Sequence, residues 1–162
     1  MKDEAGFSAF VCEHGDALLR TTRLLVRDPD EAQDVLQLAL LRLCRHWPVE
    51  HPHAYWRRTL VNLCRDRGRR RHLVPEPAEA REDQVGWMPD PADAHASQEA
   101  LEHLLSALPA RQRATVVLRV VEGLTEAEAA AALRCAPGTV ASNLSRGLAR
   151  LRAHLPEGAT HD

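Results

Sequence analysis

The sequence predicts an all-α protein made of two small helical domains joined by a flexible acidic linker. Three observations predict it. Apolar residues recur at the 3.6-residue spacing of helices, and no sustained period of two marks a half-buried strand. Prolines break the pattern at 48–52 and again across 75–91. The net charge of −2 divides sharply along the chain: −4 over residues 1–41, +7 over 42–72, −7 over 73–108, +4 over 109–153 and −2 in the tail. At 162 residues there is room for one ordinary domain or two small ones, and 44% apolar against 27% charged residues supports packed cores. The domains are expected at 1–72 and 97–155, with the linker at 73–96 and a tail at 156–162.

The elements follow in order. Helix one covers about residues 5–26, with Phe7, Phe10, Val11, Leu18 and Leu25 at helical spacing. Asp28-Pro29-Asp30-Glu31 then starts a second helix: Asp28 caps, Pro29 suits the first helical position and Glu31 completes a capping box. That helix runs from about Pro29 to His46 on a stripe of Val35, Leu36, Ala39, Leu40 and Leu43. The stretch Trp47-Pro48-Val49-Glu50-His51-Pro52 stops it. Helix three follows, about Pro52 to Arg71, with Trp56, Leu60, Leu63 and Cys64 on its apolar face. Pro75, Pro77, Pro89 and Pro91 lie among acids and alanines, a composition that stays extended or disordered.

Helix four spans about Ser97 to Leu108 and helix five about Ala110 to Glu122, with Gly123 placed as a left-handed cap. Thr125-Glu126-Ala127-Glu128 is a capping box for a short helix through Leu133. After the turn Arg134-Cys135-Ala136, Pro137 opens a last helix to about Leu155.

Two basic blocks around an acidic stretch suit two contacts with a polyanion and a tether that avoids it. From Leu124 to Leu151, a capped short helix, a tight turn and a basic second helix read as a helix-turn-helix. Its groove-facing positions include Thr139, Ser142, Asn143, Ser145 and Arg146, which can bond base edges or phosphates, while Val140, Leu144, Leu148 and Leu151 face the core. The bland alternative is an αα-hairpin in a bundle. Nine arginines in residues 42–72, interleaved with Trp47, Tyr55 and Trp56, fit a nucleic-acid surface better than a merely solvated face. On helix two, Leu38 and Leu41 fall outside the core stripe beside Asp34 and Gln37. They either meet a protein partner or pack under helix one.

These segments, taken together, resemble a known family. Asp34-Val35-Leu36-Gln37 and the apolar helix after it are similar to the polymerase-binding segment of bacterial sigma factors. The stretch from Ala54 to Asp66 resembles their promoter-melting helix. Leu108-Pro109-Ala110-Arg111-Gln112-Arg113 and Ala136-Pro137-Gly138-Thr139-Val140 resemble the start and the recognition helix of their C-terminal domain. The chain is similar to the small extracytoplasmic-function (ECF) group, in a subgroup common in actinobacteria, which keeps only sigma regions 2 and 4. The resemblance covers about residues 6–72 and 98–153.

It implies that the chain gives RNA polymerase its promoter specificity. Asp34, Gln37, Leu38 and Leu41 would dock on the clamp helices of the core enzyme. The loop from Trp47 to His53 would receive a base flipped from the −10 element, with Arg57, Arg58, Asn62 and Arg65 along the strand's path. Thr139, Ser142, Asn143, Ser145 and Arg146 would read the −35 duplex. The linker would thread the polymerase's RNA-exit path. The resemblance also implies an anti-sigma protein as a further partner. Two departures stand out. Leu38 replaces a common acid, and Ala141 and Asn143 replace common basic residues, which would lower the salt slope of DNA binding by about one unit per lost contact.

Other classes are less well supported. No nucleophile–base pair or phosphate-cradling glycine loop points to an enzyme, and no cofactor is expected. Cys12, Cys44, Cys64 and Cys135 form no CxxC pair and are expected to be reduced and mostly buried. His46, His51 and His53 near Cys44 hint at a metal, but their spacing fits no standard site, so none is expected. The charged start Met1-Lys2-Asp3-Glu4 and the lack of an apolar run of about 20 residues point to the cytoplasm. A stand-alone helix-turn-helix regulator binding duplex DNA as a dimer is the main rival. A helical interaction module or metal sensor is the second.

Overall fold

The computed structural model describes residues 3–73 and 94–155, with side chains over 3–70 and 97–155. Most of the expected linker and the tail at 156–162 therefore lie outside the described residues, as does any path for the linker through the polymerase. Among the described residues all regular structure is helical: α1 Glu4–Leu25, α2 Pro29–His46, α3 Pro52–Leu73, α4 Ala94–Ser106, α5 Ala110–Val116, α6 Glu126–Leu133 and α7 Pro137–His154. A π-helical turn, Val117–Val121, continues α5. Two boundaries shift inward on the linker: α3 reaches Leu73, and α4 starts at Ala94.

The caps explain most of the ends. The Asp3 carboxylate accepts from the Gly6 N–H, opening α1. Asp28 accepts from the Asp30 and Glu31 N–H groups, so α2 starts at Pro29. The expected capping-box partner Glu31 reaches across to α3, 3.1 Å from the Arg67 guanidinium. At α6 the full capping box forms: the Thr125 hydroxyl receives the Glu128 N–H, and the Glu128 carboxylate receives the Thr125 N–H. Those bonds hold the Glu128 carboxyl below its ordinary range. Gly123 has φ +67°, as its capping role requires, and Arg134 turns the chain between α6 and α7 in the same left-handed region.

Helices α1–α3 pack around Phe10, Leu18, Val35, Ala39, Leu43, Trp56 and Leu60. In the C-terminal domain, α5 and α7 lie against each other, with α6 across them. Gly147 makes that approach possible. A Cβ there would stand 2.9 Å from Val116 Cγ2, a stiff β-branched atom, whereas one at Gly138 meets nothing within 4 Å. Gly147→Ala is therefore expected to destabilise the domain by about 1–3 kcal/mol, whereas Gly138→Ala leaves it unchanged or raises it. Thermal melts of the two variants would check this.

The two domains are not held apart. α3 packs on α6, and α1 packs on α4, α5 and the π-turn. The C-terminal cores are completed from the N-terminal domain: Val61 sits among Leu118, Leu124, Ala129 and Val140, and Leu24 among Leu105, Leu108, Val116 and Leu151. The cysteines also differ from expectation. Cys12 is exposed and the other three are half-buried; Cys12, Cys44 and Cys64 sit on helices, and Cys135 lies in the turn between α6 and α7. Burial still pushes the Cys64 thiol up to about 12.

Candidate polymerase and nucleic-acid interfaces

On α2 the buried stripe of Ala32, Val35, Ala39 and Leu43 consumes one side of the helix. The opposite side is Asp34, Gln37, Leu38 and Leu41, all exposed. Leu38 is 41% and Leu41 55% accessible, so these leucines do not pack under α1. Two large apolar side chains beside a carboxylate and an amide form a surface suited to a protein partner.

The loop after α2 rests on α1. The Trp47 indole meets Phe7 edge-on at 5.5 Å and Phe10 at 5.6 Å, and its N–H donates to the Asp3 carboxylate at 3.0 Å. His53 lies 5.2 Å from the Phe10 ring and 4.4 Å from the His14 ring. His46 turns the other way, 2.9 Å from the Tyr55 hydroxyl and 2.8 Å from the Arg42 carbonyl. The histidines near Cys44 are thus dispersed, and among the described residues no group of three candidate ligands is placed to hold a metal. Trp56, by contrast, is fully buried in the bundle.

Along α3, Arg58 is exposed, while Arg57, Asn62 and Arg65 are half-buried. Two of these arginines are engaged by the C-terminal domain. Arg57 Nη1 lies 3.3 Å from Glu122 Oε2, and Arg65 donates to the Leu133 carbonyl at 2.5 Å. The other Glu122 oxygen accepts the Thr21 hydroxyl at 2.5 Å. In α7, Thr139, Ser145 and Arg146 are exposed and Ser142 and Asn143 half-exposed, while Val140, Gly147 and Leu151 are buried beneath them. Thr139, Ser142, Asn143 and Arg146 fall at i, i+3, i+4 and i+7, one outward stripe.

Two family models match this chain. Residues 10–73 match the family model described as Sigma-70 region 2, and residues 98–151 that of Sigma-70, region 4. The chain is 40% identical over 153 residues to the RNA polymerase sigma-E factor of Streptomyces avermitilis, covering 92% of this chain and 84% of that one. It is 34% identical to the ECF RNA polymerase sigma factor SigM of Mycobacterium tuberculosis, covering 92% and 76%. The chain belongs to the ECF sigma factors.

As a sigma factor it directs RNA polymerase to promoters, the function its two domains predict, and the stand-alone regulator is not favoured. The fold agrees as well. A solved structure of the sigma factor RpoE in complex with the anti-sigma factor NepR, from Bartonella quintana, aligns at TM-score 0.72 and 24% identity over 94% of this chain and 98% of that one. Among the described residues no helix is long and apolar enough to cross a membrane.

Sequence reasoning missed the residues that join the domains: Thr21, Leu24, Val61, Arg113 and Glu122. One signal was present. Residues 109–153 hold only three acids among seven arginines, and two of them, Glu126 and Glu128, serve the first turn of α6. Glu122 has no such local duty.

His53 adds a pH dependence. Burial, then the neighbouring His14 and Arg57, lowers its pKa, against the smaller pull of Glu122 and Glu13. The unfolded chain takes up the proton near pH 6.5, before the folded one does. Its contribution to stability is present above that pH and is lost as pH falls through the lower folded value. The thermal midpoint of the sigma factor is expected to fall on going from pH 7 to acid, and His53→Gln to flatten part of that fall.

Proposed function

We propose that this sigma factor, working in the cytoplasm, docks on core RNA polymerase through the exposed face of α2 and holds the promoter at two places. The observation that carries the reading is the exposure of Leu38 and Leu41 on the same bundle as the arginine-rich α3. A duplex-only regulator has no use for an unpartnered apolar face there. Asp34, Gln37, Leu38 and Leu41 meet the clamp helices. Arg57, Arg58, Asn62 and Arg65 line the non-template strand of the −10 element, and the loop bearing Trp47, with His53 in the first turn of α3, receives a flipped base. Unstacking a base costs a few kcal/mol, which a positive groove and a preformed aromatic cluster help to offset. Thr139, Ser142, Asn143, Ser145 and Arg146 read the −35 duplex. An anti-sigma protein is a further partner, a reading supported by the fold likeness to a sigma factor solved with one. The protein's role is recognition, not catalysis, and it needs no cofactor.

Co-purification with core polymerase, followed by run-off transcription on genomic fragments, tests the whole reading. A chain that neither joins the core nor changes start-site choice would overturn it. The melting role has its own test. Arg58→Ala with Arg65→Ala is expected to reduce strand opening about tenfold or more, since a charged contact contributes roughly 1.5–3 kcal/mol, with less effect on duplex binding. Equal loss in permanganate footprinting and in duplex gel shifts would count against it.

A further inference from the structure

The indole of Trp47 is fixed by more than apolar packing. Phe7 meets it edge-on at 5.5 Å and Phe10 lies at 5.6 Å, which together set the plane of the ring. Packing alone leaves a choice. Rotation about the bond from Cβ to an aromatic ring is roughly two-fold, and the two settings put the indole N–H on opposite sides. A polar partner on one side selects between them.

That partner is Asp3, which precedes α1. One carboxylate oxygen, Oδ2, accepts the Trp47 ring N–H at 3.0 Å, and the other, Oδ1, accepts the Gly6 N–H at 3.0 Å. The two oxygens are thus divided between capping the helix and holding the ring. Gly6 gives the carboxylate its room, since a Cβ there would overlap Asp3 Oδ2, the oxygen that faces Trp47. Glycine is disfavoured against alanine in a helix, so its place in the first turn of α1 has a use. The contrast with Trp56 points the same way. That indole is fully buried and its N–H has no acceptor among the described residues, whereas the half-buried Trp47 has a charged one. Water would satisfy a half-exposed N–H, so the carboxylate supplies direction.

We propose that Asp3 is a positioning residue for promoter opening: through the Trp47 ring N–H it fixes the indole that borders the pocket for the flipped base. The inference rests on the reading of the Trp47 loop as the base-receiving element and names what orients it. Asp3 acts through Trp47 and not on the nucleotide, since both of its oxygens are engaged. A ring held in one setting presents one wall, so the pocket is formed before the base leaves the stack. A ring divided between two settings is competent for only part of the time, and opening falls by that fraction.

The test uses holoenzyme assembled from the full chain and core polymerase, on a promoter recovered by run-off transcription. A fluorescent adenine analogue in the −10 element reads strand opening, with core capture and the thermal midpoint as controls. Asp3→Asn keeps an oxygen for the Gly6 N–H and turns an NH2 group toward the ring. Gly6→Ala pushes the carboxylate aside, and Gly15→Ala, whose Cβ meets only Val11 at ordinary contact distance, is its control on the same helix. Trp47→Phe keeps a ring and removes the N–H. Fluorine NMR of the chain labelled with fluorotryptophan follows the indole itself, the line lost in Trp47→Phe being that of Trp47.

The expected result is about fivefold weaker opening in Asp3→Asn and in Gly6→Ala, as the loss of one hydrogen bond gives, and no change in Gly15→Ala. Core capture and the midpoint of Asp3→Asn hold, and its Trp47 line shifts or splits. Trp47→Phe opens less well than the wild type, and adding Asp3→Asn to it costs nothing further. If Asp3→Asn opens like the wild type while Trp47→Ala does not, the positioning is overturned and the base-receiving reading stands. Equal losses from Asp3→Asn with and without the Trp47 ring N–H overturn it too, because the effect then does not pass through the indole. If Trp47→Ala leaves opening unchanged, the base-receiving reading fails and the positioning with it.

Discussion

Replacing Leu38 and Leu41 together by aspartate is expected to abolish capture of core RNA polymerase while leaving the fold intact. Both side chains are exposed, at 41% and 55%, so little burial is lost on substitution and the thermal midpoint should move little, each site staying within about 0.5 kcal/mol. At an interface the balance reverses. A leucine at the centre of a desolvated patch can contribute about 2 kcal/mol, and a carboxylate in its place must be buried unpaired. Two such changes predict at least a hundredfold loss of affinity for the core enzyme. Pull-down on immobilised core polymerase, with circular dichroism as the folding control, reads both halves. Retained capture would remove the α2 face from the docking surface.

Trp56→Ala carries the largest expected cost to stability. The indole is 1% exposed in the centre of the α1–α3 bundle, where its neighbours cannot collapse onto an alanine without parting the helices. The loss is expected at about 3–5 kcal/mol, most of the stability of a small domain. Trp56→Phe should be far milder. The buried Trp56 ring N–H has no acceptor among the described residues, and phenylalanine removes that unpaired donor along with part of the volume. Urea unfolding of the two variants separates these effects. Equal losses would mean that cavity volume does not decide the cost.

Much of this was legible in advance, for local reasons. α2 starts at Pro29 and ends at His46 as expected because Asp28, Pro29 and the following proline loop act within a few residues of the ends. The capping box at Thr125, the positive φ of Gly123 and the buried stripe of α7 are equally local. The candidate faces were legible too, since Asp34, Gln37 and Arg58 are polar residues that no apolar stripe claims. The π-turn was not: periodicity predicted one helix to Glu122, and nothing in Val117–Val121 distinguishes a five-residue hydrogen bond from a four-residue one. Nor was the closure of the domains. Val61 and Leu24 are not among the residues that the spacing assigns to their own helices' apolar faces, and only the tertiary arrangement shows that they complete cores belonging to the other domain.

Three of the arginines that bridge the domains grip main chain: Arg65 holds the Leu133 carbonyl, Arg113 the Leu25 carbonyl and Arg27 the Ser106 carbonyl. A carbonyl is present whatever residue carries it. Drift at positions 25, 106 and 133 therefore leaves these tethers in place, and only the guanidinium side can be lost in a single codon change. Inheritance of the closed shape is thus lopsided, vulnerable at the donors and at Glu122 and indifferent to the identity of the acceptors.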